Sequence, residues 1–240
     1  MLRKGGKFTE SQIDHHFSEV LRVCIIGAAI FIVVGIVGFP KIGLLAAILV
    51  VCSAKGSFRR FENWSKGKRG EIVVAEALKS LSNSYVLLND LTLPDGKGNV
   101  DHLVVAPNGL FVIETKNYSG RVKCEGDQWF VNGRPSKSVS RQAKRNAMAV
   151  RSHLGTIFAE RQRKIPFVNA VVVFVEPNGQ LNVYQPTVPV LRSDELAAFI
   201  RDYRDSTQIA QDTIRAIVHH MHHLQRQSGE ILRSAQTANR

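Results

Sequence analysis

The stretch Asn99-Val-Asp-His-Leu-Val-Val-Ala-Pro-Asn-Gly-Leu-Phe-Val-Ile-Glu-Thr-Lys116 constrains the fold more than any other part of the chain. Val100–Val105 and Leu110–Thr115 are rich in β-branched and aliphatic residues. Ala106-Pro107-Asn108-Gly109 between them is a turn signal, because proline presets φ and Asn-Gly tolerates positive φ. The pattern predicts two antiparallel strands. A four-residue loop would pair Val105 with Leu110 and set Asp101 opposite Glu114. A loop of Asn108 and Gly109 alone would set Asp101 opposite Lys116. Both registers pair odd positions with even ones, so Asp101, Glu114 and Lys116 leave the sheet on one face.

That placement needs a partner. Opposed residues have Cβ atoms about 5 Å apart. Two carboxylates at that distance repel by about 3 kcal/mol at an effective dielectric of about 20. A divalent cation between them turns repulsion into binding, and hard cations such as Mg²⁺ take carboxylate, water and phosphate oxygens. Lys116, two residues past Glu114, is placed to touch the water or the phosphate. The bland alternative is a surface hairpin with solvated charges, which fits poorly with strands this apolar.

Asp101 followed after a turn by Glu114-Thr115-Lys116 resembles the active-site hairpin of the PD-(D/E)xK nuclease superfamily. The longer string, from Val100-Asp101-His102-Leu103-Val104-Val105 through Gly109 to Asn117-Tyr118-Ser119-Gly120, is similar to the nuclease-related domain, the NERD family. The resemblance covers Lys66 to Val175. It implies a PD-(D/E)xK-like α/β fold, a mixed central sheet flanked by helices. It also implies Mg²⁺ or Mn²⁺ on Asp101 and Glu114, with the Thr115 carbonyl as a third ligand. Gly67-Lys-Arg-Gly70-Glu71 looks like the family's opening motif, whose glutamate faces the metal site. On the residues alone, Glu71 is equally an N-terminal glutamate favoured by the helix dipole.

The chain has 240 residues and a net charge of +12. Such a balance points to polyanions, phospholipid and nucleic acid alike. Cys24, Cys52 and Cys124 have no metal-binding spacing and imply no disulfide framework.

Leu21–Phe39 is almost wholly apolar and long enough to span a bilayer; Ile42–Ala54 is apolar but short for one. The region over 21–54 is expected to form a transmembrane helical hairpin, 21–39 and 42–54, turning at Gly38-Phe39-Pro40-Lys41. A single span kinked at Pro40 is the other arrangement. Lys55, Arg59, Arg60, Lys66, Lys68 and Arg69 follow, against Glu62 alone, which places that flank in the cytoplasm under the positive-inside tendency. The expected location is the inner membrane, with residues 1–20, including Arg3, Lys4 and Lys7, and the domain both cytoplasmic. A cleaved signal peptide would start earlier and be shorter. Phe58–Trp64 within the linker 55–65 reads as an interfacial anchor, so lipid contacts are expected over 21–64.

A nuclease-like domain is expected over 66–192, C-terminal helices over 193–228 and a polar tail over 229–240. Gly67–Leu81 is predicted helical, Tyr85–Leu88 a strand, and residues 93–99 a loop. Arg121–Cys124 and Gln128–Val131 read as a second hairpin, with Asn132–Pro135 a turn. Ser138–Phe158 is helical, with Val139, Ala143, Ala147, Val150 and Leu154 as its apolar stripe. Gln142 flanks that stripe; in the family a glutamine on this helix lies beside the active site. Arg141, Lys144, Arg145 and Arg151 lie off the stripe, as a solvated face or a phosphate track. Phe167–Val175 is a buried strand and Val188–Leu191 another. Ser193 is expected to cap a helix through Ile200, and Thr207–Leu224 is the last helix. His219, His220, His222 and His223 near its end read as exposed cations in preference to a metal cluster.

The leading function is metal-dependent phosphodiester hydrolysis in nucleic acid, DNA before RNA. Asp101, Glu114 and Lys116 carry the chemistry, with Glu71 and Gln142 beside them. The alternatives are a membrane-tethered nucleic-acid-binding module without cleavage, and a membrane scaffold for a protein partner.

Overall fold

The computed structural model describes residues 7–53, 55–94, 99–160, 164–175, 180–204 and 208–238. Arg3, Lys4, Ala54, Thr207 and the loop residues 95–98 lie outside the described residues. Two units divide the chain, one over Gly6–Arg69 and one from Gly70 onwards.

The first unit holds α1 (Lys7–Ile36) and α2 (Pro40–Ser53), separated by a break at Gly38, whose φ is +93°. Gly43 of α2 is buried against the Phe31 carbonyl and Val34 of α1. Phe17–Ile36 has a mean hydropathy of 2.4 over 20 residues with 6% of its apolar window buried. Most of its side chains, among them Ile25, Ile32, Val33 and Ile36, are exposed. That distribution is foreign to the core helix of a soluble protein. A membrane span and a signal sequence share this length and composition.

The transmembrane hairpin expected over 21–54 needs correction. One helix among the described residues has the length and composition to cross a bilayer. The α2 helix has 14 residues. At a rise of about 1.5 Å per residue it reaches about 21 Å, short of a hydrocarbon core about 30 Å thick.

In the second unit the core sheet has the order β1-β2-β3-β7-β9, built from β1 (Val86–Thr92), β2 (Asn99–Ala106), β3 (Gly109–Lys116), β7 (Val168–Phe174) and β9 (Val190–Arg192). The strands β1, β2 and β3 pair antiparallel, and β7 and β9 continue parallel to β3. In β3 every residue from Gly109 to Thr115 is buried, as befits a central strand covered on both faces.

One face packs under α4 (Val139–His153) and α7 (Gln211–Ala238). Leu103, Val105, Leu110 and Val112 meet Ala143, Ala147 and Val150 of α4 and Ile214, Ile217 and Met221 of α7. On the other face Val104, Phe111, Ile113 and Val171 pack against Val74 of α3 (Lys55–Ala77), Leu78, and Leu196 and Ile200 of α6 (Leu196–Asp202). A second sheet, β6-β5-β4-β8, comprises β4 (Arg121–Glu125), β5 (Gln128–Val131), β6 (Arg134–Ser136) and β8 (Gln180–Tyr184), with β8 parallel to β4. Trp129 of this sheet stacks on Phe174, ring centroids 5.6 Å apart, and its Nε1 donates to Ser140 Oγ at 2.9 Å.

Several boundaries differ from the sequence reading. Arg134 and Pro135, read as a turn, begin β6. The helix over 138–158 is two, with α5 (Gly155–Glu160) following a turn at Leu154. Ser193 is not a cap: residues 193–195 form a turn in which Glu195 Oε2 accepts the Arg192 N–H at 2.7 Å, and α6 starts at Leu196. The α7 helix continues to Ala238, through the segment read as a tail. The four histidines therefore lie inside the helix, and His220 Nε2 meets the His153 carbonyl at 2.9 Å.

Candidate active site

The β2–β3 register is set by a tight turn. Ala106 pairs with Gly109 and Val105 with Leu110, leaving Pro107 and Asn108 as the loop. Asn108 is buried and its Nδ2 donates to the Ile200 carbonyl at 2.7 Å and the Tyr203 carbonyl at 3.2 Å, so the turn is tied to the end of α6. The last backbone pair is His102 with Ile113. One step further, Asp101 faces Glu114, and alternation puts both on the α4 face together with Lys116.

The contacts converge. Asp101 Oδ2 accepts the Thr115 backbone N–H at 2.7 Å. Lys116 Nζ donates to Glu114 Oε1 at 2.5 Å, with the Glu114 side chain 1% exposed and that of Lys116 17%. Lys116 Nζ also lies 3.4 Å from Gln142 Oε1 on α4. Asn146, one turn along α4, donates through Nδ2 to Glu114 Oε2 at 3.2 Å and to the Asn99 carbonyl at 3.1 Å. The two amide hydrogens of Asn146 thus serve two acceptors on two strands.

Burial pushes Asp101 well above the usual carboxylate range, and the Glu114 charge adds to it; Lys116 and the Thr115 N–H oppose. Its residue keeps some accessible surface, yet protein atoms surround the carboxyl group. Burial also raises Glu114, against the opposing Lys116 charge and hydrogen bond, the Arg145 charge and the Asn146 hydrogen bond. For Lys116, burial alone would lower the ammonium, but the Glu114 and Asp101 charges outweigh it and hold it above its ordinary value. Desolvation, not mutual repulsion, is thus the leading strain on the acids.

Thr115 contributes its backbone to the site. Its side chain lies on the opposite face, where a Cβ built on Gly70 would come 3.3 Å from Thr115 Cγ2 and 3.2 Å from Asn117 Cβ. Gly70 is buried and lets α3 lie against the end of β3. Glu71, next along α3, is half-buried, and its charge acts on Asp101 as the smallest of the contributions raising it.

The four basic residues of α4 do not share one environment. Lys144 Nζ lies 3.1 Å from Asp127 Oδ1, and Arg141 Nε 3.9 Å from Asp127 Oδ2. The Thr187 hydroxyl, then Lys144, hold Asp127 below the usual carboxylate range. Arg151 Nη1 donates to the Pro166 carbonyl at 3.2 Å. Arg145 is exposed and its charge reaches Glu114.

Asn146 is the residue that sequence reasoning missed. The signal was there: it sits four positions after Gln142, on the same face of the helix, and is bracketed by the buried Ala143 and Ala147. A polar residue inside an apolar stripe needs a partner.

No solved structure matches this chain significantly. An uncharacterised protein of Bacillus anthracis is 28% identical over an alignment of 162 positions that covers 64% of this chain and 74% of that protein. Residues 66–175, the stretch that carries Glu71, Asp101, Glu114, Lys116, Gln142 and Asn146, match the NERD family, the nuclease-related domain.

Proposed function

We propose that the second unit hydrolyses phosphodiester bonds in nucleic acid, DNA before RNA, with Mg²⁺ or Mn²⁺ held by Asp101, Glu114 and the Thr115 carbonyl. The observation that carries this reading is the convergence of Asp101, Glu114 and Lys116 in one buried cluster inside the stretch that matches a nuclease-related family. The donor set fits a hard divalent ion: two carboxyl groups on one face, Asp101 and Glu114, with Lys116 on Glu114 as the neighbouring cation. When bound, the ion would polarise the scissile phosphate and activate the attacking water.

The chain's own groups do the rest. Lys116 projects from the same face as the two carboxyl groups, where its side chain can orient or deprotonate the attacking water and stabilise charge developing on the phosphoryl oxygens. Gln142 steadies the ammonium from the helix side, and Asn146 fixes the second oxygen of Glu114. Glu71 adds negative potential at the edge of the site. Arg141, Lys144, Arg145 and Arg151 are proposed to meet phosphates, each contact contributing about −0.9 to the slope of log K against log salt on duplex DNA.

The outward-facing apolar side chains of Phe17–Ile36 and the basic flank on α3 support an anchor in the inner membrane, with the domain in the cytoplasm. Lipid contacts would extend over 21–64.

The test uses the full chain in detergent with supercoiled plasmid, in Mg²⁺, Mn²⁺ or chelator, beside Lys116→Ala. Cleavage that requires the ion and disappears in the variant is expected. Cleavage in chelator, or equal cleavage by the variant, would overturn the assignment. Salt-sensitive binding with no cleavage under any ion would leave the tethered binding module instead.

A further inference from the structure

The second sheet has a face that the proposed active site does not use. Val122, Cys124, Trp129, Leu181 and Val183 turn inward to the core. The register therefore puts Arg121 and Lys123 of β4, Phe130 of β5, and Gln180, Asn182 and Tyr184 of β8 together on the other face. Every one of them is exposed or half-exposed, and Tyr184 is 56% exposed, a large ring left in water.

The arrangement alternates rings with cations. Lys123 Nζ lies 5.8 Å from the centre of the Tyr184 ring. On its other side Lys123 pairs directly with Phe130. The rings stand on strands two apart, about 10 Å at the usual strand spacing. Arg121 Nε donates to Gln180 Oε1 at 3.2 Å. Two open clefts meet at Arg121. One, of about 480 Å³, is lined by Gly120, Arg121, Asn132 and Gln180. The other, of about 320 Å³, is lined by Arg121, Lys123, Phe130 and Gly133. Among the described residues one carboxylate shares the face: Glu125 pairs with Lys123 at 2.6 Å, both side chains close to half exposed. An exposed pair of this kind contributes little, and a phosphate can take the place of the carboxylate.

Exposed rings interleaved with cations are what a single strand requires. Every unpaired base has a face to stack, and every linkage has a phosphate to neutralise. A duplex hides its base faces and has no use for Tyr184. Charge complementarity agrees, in a chain of net charge +12.

We propose that the outer face of the second sheet binds a single-stranded segment of nucleic acid, with bases on Tyr184 and Phe130 and phosphates on Arg121 and Lys123. The choice of nucleic acid as occupant rests on the nuclease reading and narrows its substrate. Arg121 follows Lys116 by five residues, at most about 18 Å of extended chain. A single strand of a few nucleotides is long enough to reach from the carboxylates to this face.

The test is fluorescence anisotropy on the full chain in detergent and chelator, so that nothing is cut. The probes are labelled oligothymidylate of 20 nucleotides and a 20-base-pair duplex. Tyr184→Ala is expected to weaken oligothymidylate binding about 5- to 100-fold, with Tyr184→Phe keeping wild-type affinity and duplex binding unmoved. Lys123→Ala is expected to flatten the single-strand salt slope by about 0.7. Unchanged oligothymidylate affinity in Tyr184→Ala, or an equal loss on the duplex, overturns the proposal. So does a Tyr184-dependent affinity seen only for phosphatidylglycerol vesicles. The two readings fail separately. Tyr184-dependent single-strand binding without cleavage in any metal ion upholds this face and removes the nuclease. Lys116-dependent cleavage with binding indifferent to Tyr184 does the reverse.

Discussion

Asp101 Oδ2 accepts the Thr115 N–H at 2.7 Å, one step beyond the last backbone pair of β2 and β3. A carboxylate there replaces a rung of the ladder and ties β2 to the strand that carries Glu114 and Lys116. Both acids are raised by burial first. A folded-state pKa above the unfolded one means the folded chain binds the proton more tightly. Stability is then lost as pH rises from the ordinary carboxylate range through the raised value, and regained on acidification. Asp101→Asn removes the titration while keeping an acceptor for Thr115. In the absence of metal it is expected to melt above wild type at neutral pH, and the gap is expected to close as pH falls through the raised value into the ordinary carboxylate range. A gap that is independent of pH would contradict the burial argument.

The same variant tests the ion. An ion that binds only the folded state raises its melting temperature by mass action. Mg²⁺ or Mn²⁺ should raise the melting temperature of the wild type and have little effect on Asp101→Asn, with calorimetric titration showing the matching loss of affinity. Metal affinity equal in the two proteins would remove the paired carboxylates as an ion site, and the nuclease with them.

Lys116→Ala should separate binding from chemistry. Its ammonium occupies Glu114 Oε1 in the absence of metal. Removing it leaves a buried acceptor unsatisfied, which costs about 1–3 kcal/mol, and it also removes a competitor of the ion. The variant is expected to melt lower without metal, to bind Mn²⁺ at least as tightly as wild type, and to cleave nothing. Weakened ion binding would instead make Lys116 a support of the site and not its reacting cation.

How much of this could be read from the sequence follows from the range of each signal. The shared face of Asp101, Glu114 and Lys116 was legible because strand alternation makes it independent of turn length. The turn itself, Pro107-Asn108, depended on contacts with α6, remote in sequence, and was not. The pairing of β8 with β4 spans more than fifty residues, and Gln180–Tyr184 is too polar and short to announce a strand. Apolar composition marked 21–54, but helix length decided which part can span. For Asn146 the apolar stripe marks the helix face, but periodicity does not say which acceptors on β2 and β3 its amide meets.

Asn146→Ala leaves Glu114 Oε2 and the Asn99 carbonyl without their shared donor. A loss of about 1–3 kcal/mol is expected from the unsatisfied buried acceptors. Groups that orient a metal ligand typically contribute about 10- to 100-fold in affinity. Thermal melts and Mn²⁺ titration should show both losses together. A variant that is destabilised but binds the ion as wild type does would reduce Asn146 to a packing residue.

Two glycines of α3 make opposite predictions from one substitution. Alanine is favoured over glycine in a helix by about 1 kcal/mol. At Gly67 a Cβ would meet nothing within 4 Å, so Gly67→Ala should collect that gain as a higher melting temperature. At Gly70 the new methyl would press on Asn117 Cβ at 3.2 Å and Thr115 Cγ2 at 3.3 Å, where the neighbour is the end of β3. Overpacking of that kind costs about 1–3 kcal/mol, enough to cancel or reverse the helical gain. Because Thr115 carries the N–H that holds Asp101, the strain would be felt in the site as well. Gly70→Ala is therefore expected to melt below Gly67→Ala and to bind Mn²⁺ more weakly, measured on the full chain in detergent. Equal melting temperatures and equal ion affinity would show that α3 can move away from β3 without disturbing the carboxylates.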